Sequence, residues 1–501
     1  MNLAHIIDAH PAERAALVCR GRTTTYGELR DQVARARGGL ARLGLVAGDR
    51  IALVCGNDAP FVIMYLAAAG LGVVTVPLNP SSPAPELEHQ VRATGAAVVA
   101  LDSVAAPTWA QVDRSRVPTV RRVVGLEAMT SEAARAVLDS TLDDLLAAPP
   151  LPVVDVAPDH LVVLLFTSGT AGAPRAAMLG HGNLLANIEQ GRSTGVDVGA
   201  GDVVYGVLPL HHIYGLNVVL GLSLERGATV VLVRRFDPAT ALESIRERSV
   251  TVVPGAPPMW VAFSHFTEAP PDALASVRLA LTGAARMPTE ATRRLAERFG
   301  ITLHEGYGLT EASPVVTSSA GTGAPLGSVG RVLAGIEVRL VDEGGVDVVA
   351  GDAGEIWVRG ANVFQGYLDD PEATARVLTA DGWLRTGDIA VADDDGNLSL
   401  VDRAKDLIIV SGFNVYPAEV EEVLAAHPAV AEVGVLGVPH PHEGEAVKAY
   451  VVLRPGTDVH EDALVSWCGD RLARYKCPSK IVFVDELPRN ANGKLLRRSL
   501  T

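Results

Sequence analysis

The chain is poor in cysteine, in positive charge and in long apolar runs, and each shortage closes off a class of protein. Only four cysteines occur in 501 residues, Cys19, Cys55, Cys468 and Cys477, with no CxxC pair and no zinc spacing with histidine. That pattern argues against a disulfide framework and a structural zinc site, and points to a reducing, cytoplasmic setting. Lys and Arg total 43 against 58 Asp and Glu, a formal net charge of −15. A nucleic-acid binder needs a basic face, so none is expected here, and any anionic ligand has to be held by local devices. The longest apolar run, Phe61 to Val76, is short for a membrane span and is broken by Gly70 and Gly72 before Pro77. It predicts a buried helix followed by a buried strand, and no transmembrane segment. The opening MNLAHIIDAHPAERA carries charges where a secretory signal needs its apolar core.

What is present is the composition of an α/β enzyme, with 48% apolar residues, 49 glycines and 31 prolines. The length calls for more than one packed unit. Between Tyr26 and Leu101 an amphipathic helix (Tyr26 to Leu43) alternates with β-branched runs at Arg50 to Val54, Val73 to Val76 and Ala97 to Leu101, the rhythm of a largely parallel sheet. Residues 127–159, rich in Ala, Pro and Asp, read as a surface connection. A second rhythm of the same kind runs from Leu161 to Leu303, with strands expected at Leu161 to Phe166, Thr229 to Val233, Val250 to Val253 and Val277 to Leu281. From Gly327 to Val401 short alternating strands with glycine turns predict an antiparallel, barrel-like subdomain. The remainder predicts a small α+β unit. The expected architecture is therefore α/β: a large N-terminal domain (1–401) of two βα-layered sheets plus the β subdomain, a hinge at 402–405, and a mobile C-terminal domain (406–501).

The strongest local signal is LVVLLFTSGTAGAPR, where a buried strand delivers a loop of hydroxyls and glycines. Gly169 and Gly172 let backbone approach a phosphate, Thr167, Ser168 and Thr170 offer hydroxyl donors, and Arg175 adds charge. The GxxxxGK[ST] spacing is absent, so this is not a P-loop. No HExxH or similar metal spacing involves the His211–His212 doublet.

Four further segments follow in order: HEGYGLTEASP (304–314), GWLRTGD (382–388), VDRAKDLIIVSGFNVYPAEVEEVL (401–424) and PRNANGKLLRR (488–498). Together with TSGTAGAPR they resemble the adenylate-forming superfamily of acyl-CoA synthetases, firefly luciferase and peptide-synthetase adenylation domains, over essentially the whole chain. Within it the likeness is to bacterial fatty-acyl-CoA ligases, through VSGFNVYPAEVEEVL and GYGLTE, with LPLHHIYGL (208–216) as a weaker echo. The phosphate loop departs from that family's TSGTTGxPKG at Ala171, Arg175 and Ala176.

The resemblance implies ATP, Mg2+ and coenzyme A as reactants with a small carboxylic acid, in the setting of fatty acid and lipid metabolism. It implies that Lys494 bridges the acid and the α-phosphate, that Thr310 contacts that phosphate, and that Glu311 is the metal ligand. Tyr307 and Gly308 would border the adenine, with Gly283, Ala284 and Ala285 forming the small-residue turn beside the nucleotide. Asp388 and Arg403 would hold the ribose, and His212 would stand beside the acyl and thiol channel. Lys405 matches the hinge position, and Ser411, Gly412 and Phe413 would line the pantetheine tunnel. An acyl-AMP ligase that loads an acyl-carrier protein, an aryl-acid ligase, and a degraded nucleotide- or acyl-binding relative share parts of this pattern. With 5% aromatic residues an aryl pocket is slightly disfavoured.

Overall fold

The computed structural model describes residues 1–129, 131–167, 174–194, 197–403, 408–410, 413–440, 444–472, 474–489 and 495–500. Its first sheet has seven strands in the order Ser140–Thr141, Arg122–Gly125, Val98–Leu101, Arg50–Val54, Val74–Leu78, Leu161–Thr167 and Arg175–Gly180. All neighbours are parallel except the last pair, a hairpin in which Thr167 faces Arg175. A nine-stranded second sheet has a parallel centre that runs from Leu303–Gly308 through Leu279–Thr282, Val252–Gly255, Val203–Gly206 and Thr229–Leu232 to Ala15–Cys19. Antiparallel strands close both of its edges.

Two sequence expectations are corrected. The strand expected at Leu161 to Phe166 as the opening of the second sheet spans Leu161–Thr167 and lies in the first, with Val163 paired to Thr75. An apolar run that is buried on both faces fits either sheet, so its composition does not choose between them. The segment expected to be a plain connection contains helices Glu132–Ala136 and Leu142–Leu146 and the edge strand Ser140–Thr141. Their start signals are short and polar: Thr141 and Asp144 form a capping box at the second helix.

The helix Tyr26–Arg42 starts at Thr25 with a capping box to Glu28 and buries Tyr26, Leu29, Val33, Ala36 and Leu40 on one stripe. The run from Phe61 divides as expected into helix Ala59–Leu71 and strand Val74–Leu78, separated by Gly72 at φ 75°. Asp58 caps that helix, and Phe61 through Gly70 are all buried, in a core shared by both sheets. No described helix is long and apolar enough to cross a membrane. An ion-pair cluster ties the sheets together: Arg20 and Arg234 each reach Asp58 at 2.7 Å and Glu127 at 2.6 and 3.2 Å.

The β subdomain is an antiparallel meander, Ile336–Val341, Gly354–Gly360, Leu384–Ala392 and Leu398–Arg403, whose end strands do not pair with each other among the described residues. A smaller C-terminal sheet is built on the long hairpin of Val430–His440 and Gly444–Leu453, packed against helices Pro417–Ala425 and Glu461–Gly469. An exposed ion pair, Arg286 to Glu422 at 2.8 Å, joins this unit to the larger one.

The helix Tyr26–Arg42 packs without spacers on residues 145–149. A Cβ on Gly38 would lie 2.0 Å from the Pro149 carbonyl oxygen, and one on Gly39 2.6 Å from Leu145. Gly38→Ala is therefore expected to lower stability by about 1–3 kcal/mol through overpacking, read from urea unfolding; an unchanged midpoint would show that the contact relaxes freely.

Candidate active site

The carboxyl ends of parallel strands from both sheets meet the β subdomain at one large cavity of about 880 Å³. Such crevices are where open α/β sheets bind ligands. The first sheet contributes Leu78, Phe166 and Thr167, the second Leu281 to Ala284 and Glu305 to Glu311, and the meander Leu384 to Thr386 and Asp388. One end is polar and the other apolar.

At the polar end two carboxylates are each held by a tyrosine. Tyr307 Oη donates to Asp388 Oδ2 at 2.7 Å, and Tyr367 Oη donates to Glu311 Oε1 at 2.7 Å. Burial first, and then the Glu311 charge, push the Tyr367 phenol upward, so it remains a donor. Arg175 Nε donates to Asp370 at 2.8 Å, with its guanidinium 5.9 Å from the Tyr367 ring. Thr167 and Thr310 complete this wall. Asp388 and Arg403 are directly paired across adjacent strands, which puts these two positions side by side. Among the described residues no three or more His, Cys, Asp or Glu side chains gather as a metal cluster. A magnesium ion that arrives with nucleotide phosphates takes one or two protein carboxylates and completes its shell with water and phosphate, and Glu311 fits that donor set.

Gly283 and Ala284 also line the cavity, the ring of Tyr214 standing 3.4 Å from where a Gly283 Cβ would be. Ala284 has φ 72°, a left-handed conformation rarely taken by a residue with a side chain. Ala285 is exposed beside them and is not part of the lining. Gly308 lines the cavity and meets a second requirement, since a Cβ there would lie 2.0 Å from the Pro314 oxygen.

The apolar end is walled by the π-helical segment Tyr214–Leu222 together with Ile188, Val198, Leu279 and Leu333. His211 and His212 both line it, with ring centroids 4.6 Å apart. Burial pushes His212 down to about 4; burial first, and then His212, push His211 down to about 3, so both rings are neutral at pH 7.

Ser168, Gly169, Thr170, Gly172, Lys405, Ser411, Gly412 and Lys494 lie outside the described residues, and Arg403 and Phe413 are described through their backbone alone. Tyr307, Glu311 and Asp388, which the sequence reading singled out, line the same cavity. That reading missed Tyr367, whose contact to Glu311 spans 56 positions, and it missed Glu305.

Comparison with known proteins fits this arrangement. The family model for AMP-binding enzymes matches residues 3–368, and the model for their C-terminal domain matches 419–494. The chain belongs to the AMP-binding enzyme family. The 4-coumarate–CoA ligase 3 of Oryza sativa subsp. japonica is 34% identical over 100% of this chain and 92% of its own. The long-chain-fatty-acid–CoA ligase of Bacillus subtilis (strain 168) is 35% identical over 97% and 91%. The crystal structure of ATP-bound MatB from Rhodopseudomonas palustris superposes with a TM-score of 0.90 at 31% identity, covering 100% of this chain and 98% of the other. In this AMP-binding enzyme, a large N-terminal and a smaller C-terminal domain follow the same mixed α/β plan.

Glu305 is a buried acid on the cavity wall. Burial pushes its pKa up to about 7, against the pull of the Met287 and Gly327 backbone N–H groups and of Arg286. Because the folded pKa lies above the ordinary glutamate value of 4.5, the native state binds this proton more tightly. The associated stability is complete below pH 4.5 and is lost as pH rises through 7. Glu305→Gln, which resembles the protonated form, is expected to raise Tm relative to wild type at pH 8.5 and to match it near pH 5. Thermal melts at both pH values check this, and an equal difference at both would refute the assignment.

Proposed function

We propose that the protein is an ATP-dependent acid–CoA ligase that forms an acyl-adenylate with release of pyrophosphate and then passes the acyl group to coenzyme A. One observation carries the reading: a continuous cavity whose polar end holds the Glu311–Tyr367 and Asp388–Tyr307 pairs and whose other end is apolar. Nucleotide fits the first and an acid with an apolar body the second. The two relatives described above act, by their names, on an aryl acid and on long-chain fatty acids. A medium- or long-chain fatty acid and an aryl acid are therefore the two substrate classes to compare.

The first step brings a carboxylate to the α-phosphate, and two anions meet only where positive charge sits between them. Lys494 is the candidate for that charge, with Thr310 on the α-phosphate, Asp388 accepting hydrogen bonds from the ribose hydroxyls and Arg403 joining it there. Magnesium bound at Glu311 would neutralise charge on the departing pyrophosphate. The hydroxyls and backbone of Thr167, Ser168, Gly169, Thr170 and Gly172 would cradle the phosphates, while Arg175 is already engaged by Asp370.

For the second step the small domain, 406–501, would turn on a hinge at 402–405 centred on Lys405. Ser411, Gly412 and Phe413 would then border the pantetheine, with His212 beside the thiol channel. The two family matches, ending at 368 and resuming at 419, bracket that hinge and support it. The exposed Arg286–Glu422 ion pair between the units is of a kind worth about 0–1 kcal/mol, so it would resist that rotation little.

The test is a panel of short, medium, long and aryl acids, scored for pyrophosphate release with ATP and for coenzyme A consumption. Pyrophosphate release without thiol consumption would favour a carrier protein as acceptor, and neither signal with any acid would favour a binding-only relative. Lys494→Ala is expected to slow adenylate formation by roughly 10² to 10³ and to leave supplied acyl-adenylate reacting with coenzyme A at near the wild-type rate. Comparable loss in both single-turnover measurements would remove Lys494 from its assigned place.

A further inference from the structure

The cavity is short of positive charge for the anion it would take. Among the described residues its walls carry five carboxylates, Glu86, Asp197, Glu305, Glu311 and Asp388, against three guanidinium groups, Arg175, Arg376 and Arg385. A triphosphate brings more negative charge than one divalent ion offsets, and in an acidic chain the remainder has to be met by cations close at hand. The loop from Ser168 to Ala173, which would cradle the phosphates, has no charged side chain.

Two of the three guanidinium groups are engaged. Arg175 Nε donates to Asp370 Oδ2 at 2.8 Å, and the Arg385 guanidinium lies over the Trp357 ring, 4.8 Å from its centre. Arg376 is exposed, lines the cavity, and makes no hydrogen bond, ion pair or ring contact among the described residues. Its place follows from the helix Pro371–Val377. Asp370 caps the start of that helix, Oδ1 accepting from the Ala373 N–H at 2.8 Å while Oδ2 takes Arg175. The Ala373 N–H first, and then Arg175, hold the Asp370 carboxyl below its usual range, and the field of Arg376 adds to them. Each Asp370 oxygen thus has a partner already, and Arg376, in the last turn of the helix, stands near the carboxylate without being bound by it. A row of groups results along the polar wall: Glu311, Tyr367 at 2.7 Å from it, Arg175 at 5.9 Å from the Tyr367 ring, Asp370, and then Arg376. The row begins at the candidate magnesium ligand and ends on an unpaired planar fork of the kind that binds phosphate oxygens in pairs.

Resting on the ligase reading, we propose that Arg376 binds the β- and γ-phosphates of ATP and holds pyrophosphate as it departs, while Arg175 serves Asp370 and so positions the helix that carries Arg376. The departure of the phosphate loop from TSGTTGxPKG at Arg175 is thereby offset from a neighbouring helix.

The experiment compares the binding of ATP and of AMP to the full chain by isothermal titration calorimetry, and reads the KM for pyrophosphate from ATP–pyrophosphate exchange with an acid that wild type accepts. Arg376→Gln is expected to weaken ATP binding and raise the KM for pyrophosphate by about tenfold, with AMP binding and the rate of supplied acyl-adenylate with coenzyme A unchanged. Arg376→Lys, which keeps the charge and loses the fork, should recover part of the loss. A merely structural role would weaken AMP along with ATP. Equal loss for both nucleotides, loss for neither, or a raised KM for coenzyme A in place of ATP overturns the proposal. The side chain is exposed, so both variants are expected to fold. Wild type that binds ATP but exchanges pyrophosphate with no acid sinks the ligase reading, and the comparison of ATP with AMP then decides the place of Arg376 by itself.

Discussion

Helix Ala59–Leu71 has no solvent face, and that burial sets the geometry of everything around it. Its residues from Phe61 to Gly70 pack in a core drawn from both sheets, so the two parallel sheets share one interior. Burying a large apolar side chain contributes about 1.5–3 kcal/mol, and here a single helix supplies such side chains to both layers at once. Sliding one sheet against the other would open that interior. The Arg20, Arg234, Asp58 and Glu127 cluster adds a polar restraint at its margin, where burial would raise Glu127 but hydrogen bonds from Ser103, with Arg20 and Arg234, hold it down at about 2. Strand ends that are fixed in this way can converge on one cavity and keep it open.

Within the cavity the problem is electrostatic. An acidic protein is arranged around a ligand rich in negative charge, and its nearest fixed charges at the polar end include two carboxylates. Each accepts a hydrogen bond from a tyrosine, which fixes its orientation without adding a cation. Positive charge then has to come from elsewhere, and in the proposed mechanism Lys494 of the small domain would bring it.

Much of the fold was legible because periodicity reports burial. Arg50–Val54, the helix beginning at Tyr26 and the split of the run from Phe61 all follow from apolar spacing and glycine placement. Sheet membership was not legible, since the apolar pattern of Leu161–Thr167 suits any interior sheet and only its pairing with Thr75 decides. In the site, Tyr307, Glu311 and Asp388 could be found because each sits in a distinctive motif. Tyr367 could not, because its importance lies in a contact to a distant carboxylate, and Glu305, though in the same motif as Tyr307, matters through an amount of burial that a single sequence does not encode locally.

The four cysteines acquire a meaning that their spacing alone did not suggest. Cys19, Cys55 and Cys468 are buried and Cys477 is half-buried, and burial raises the pKa of every one of them, Cys19 to about 12 and Cys468 to about 11. Thiolates, not thiols, attack disulfides. Under the proposed reaction, which takes a small thiol as acceptor, raised thiol pKa values would keep the protein's own sulfurs from exchanging with disulfides of that thiol. Its sulfur chemistry is left to the substrate.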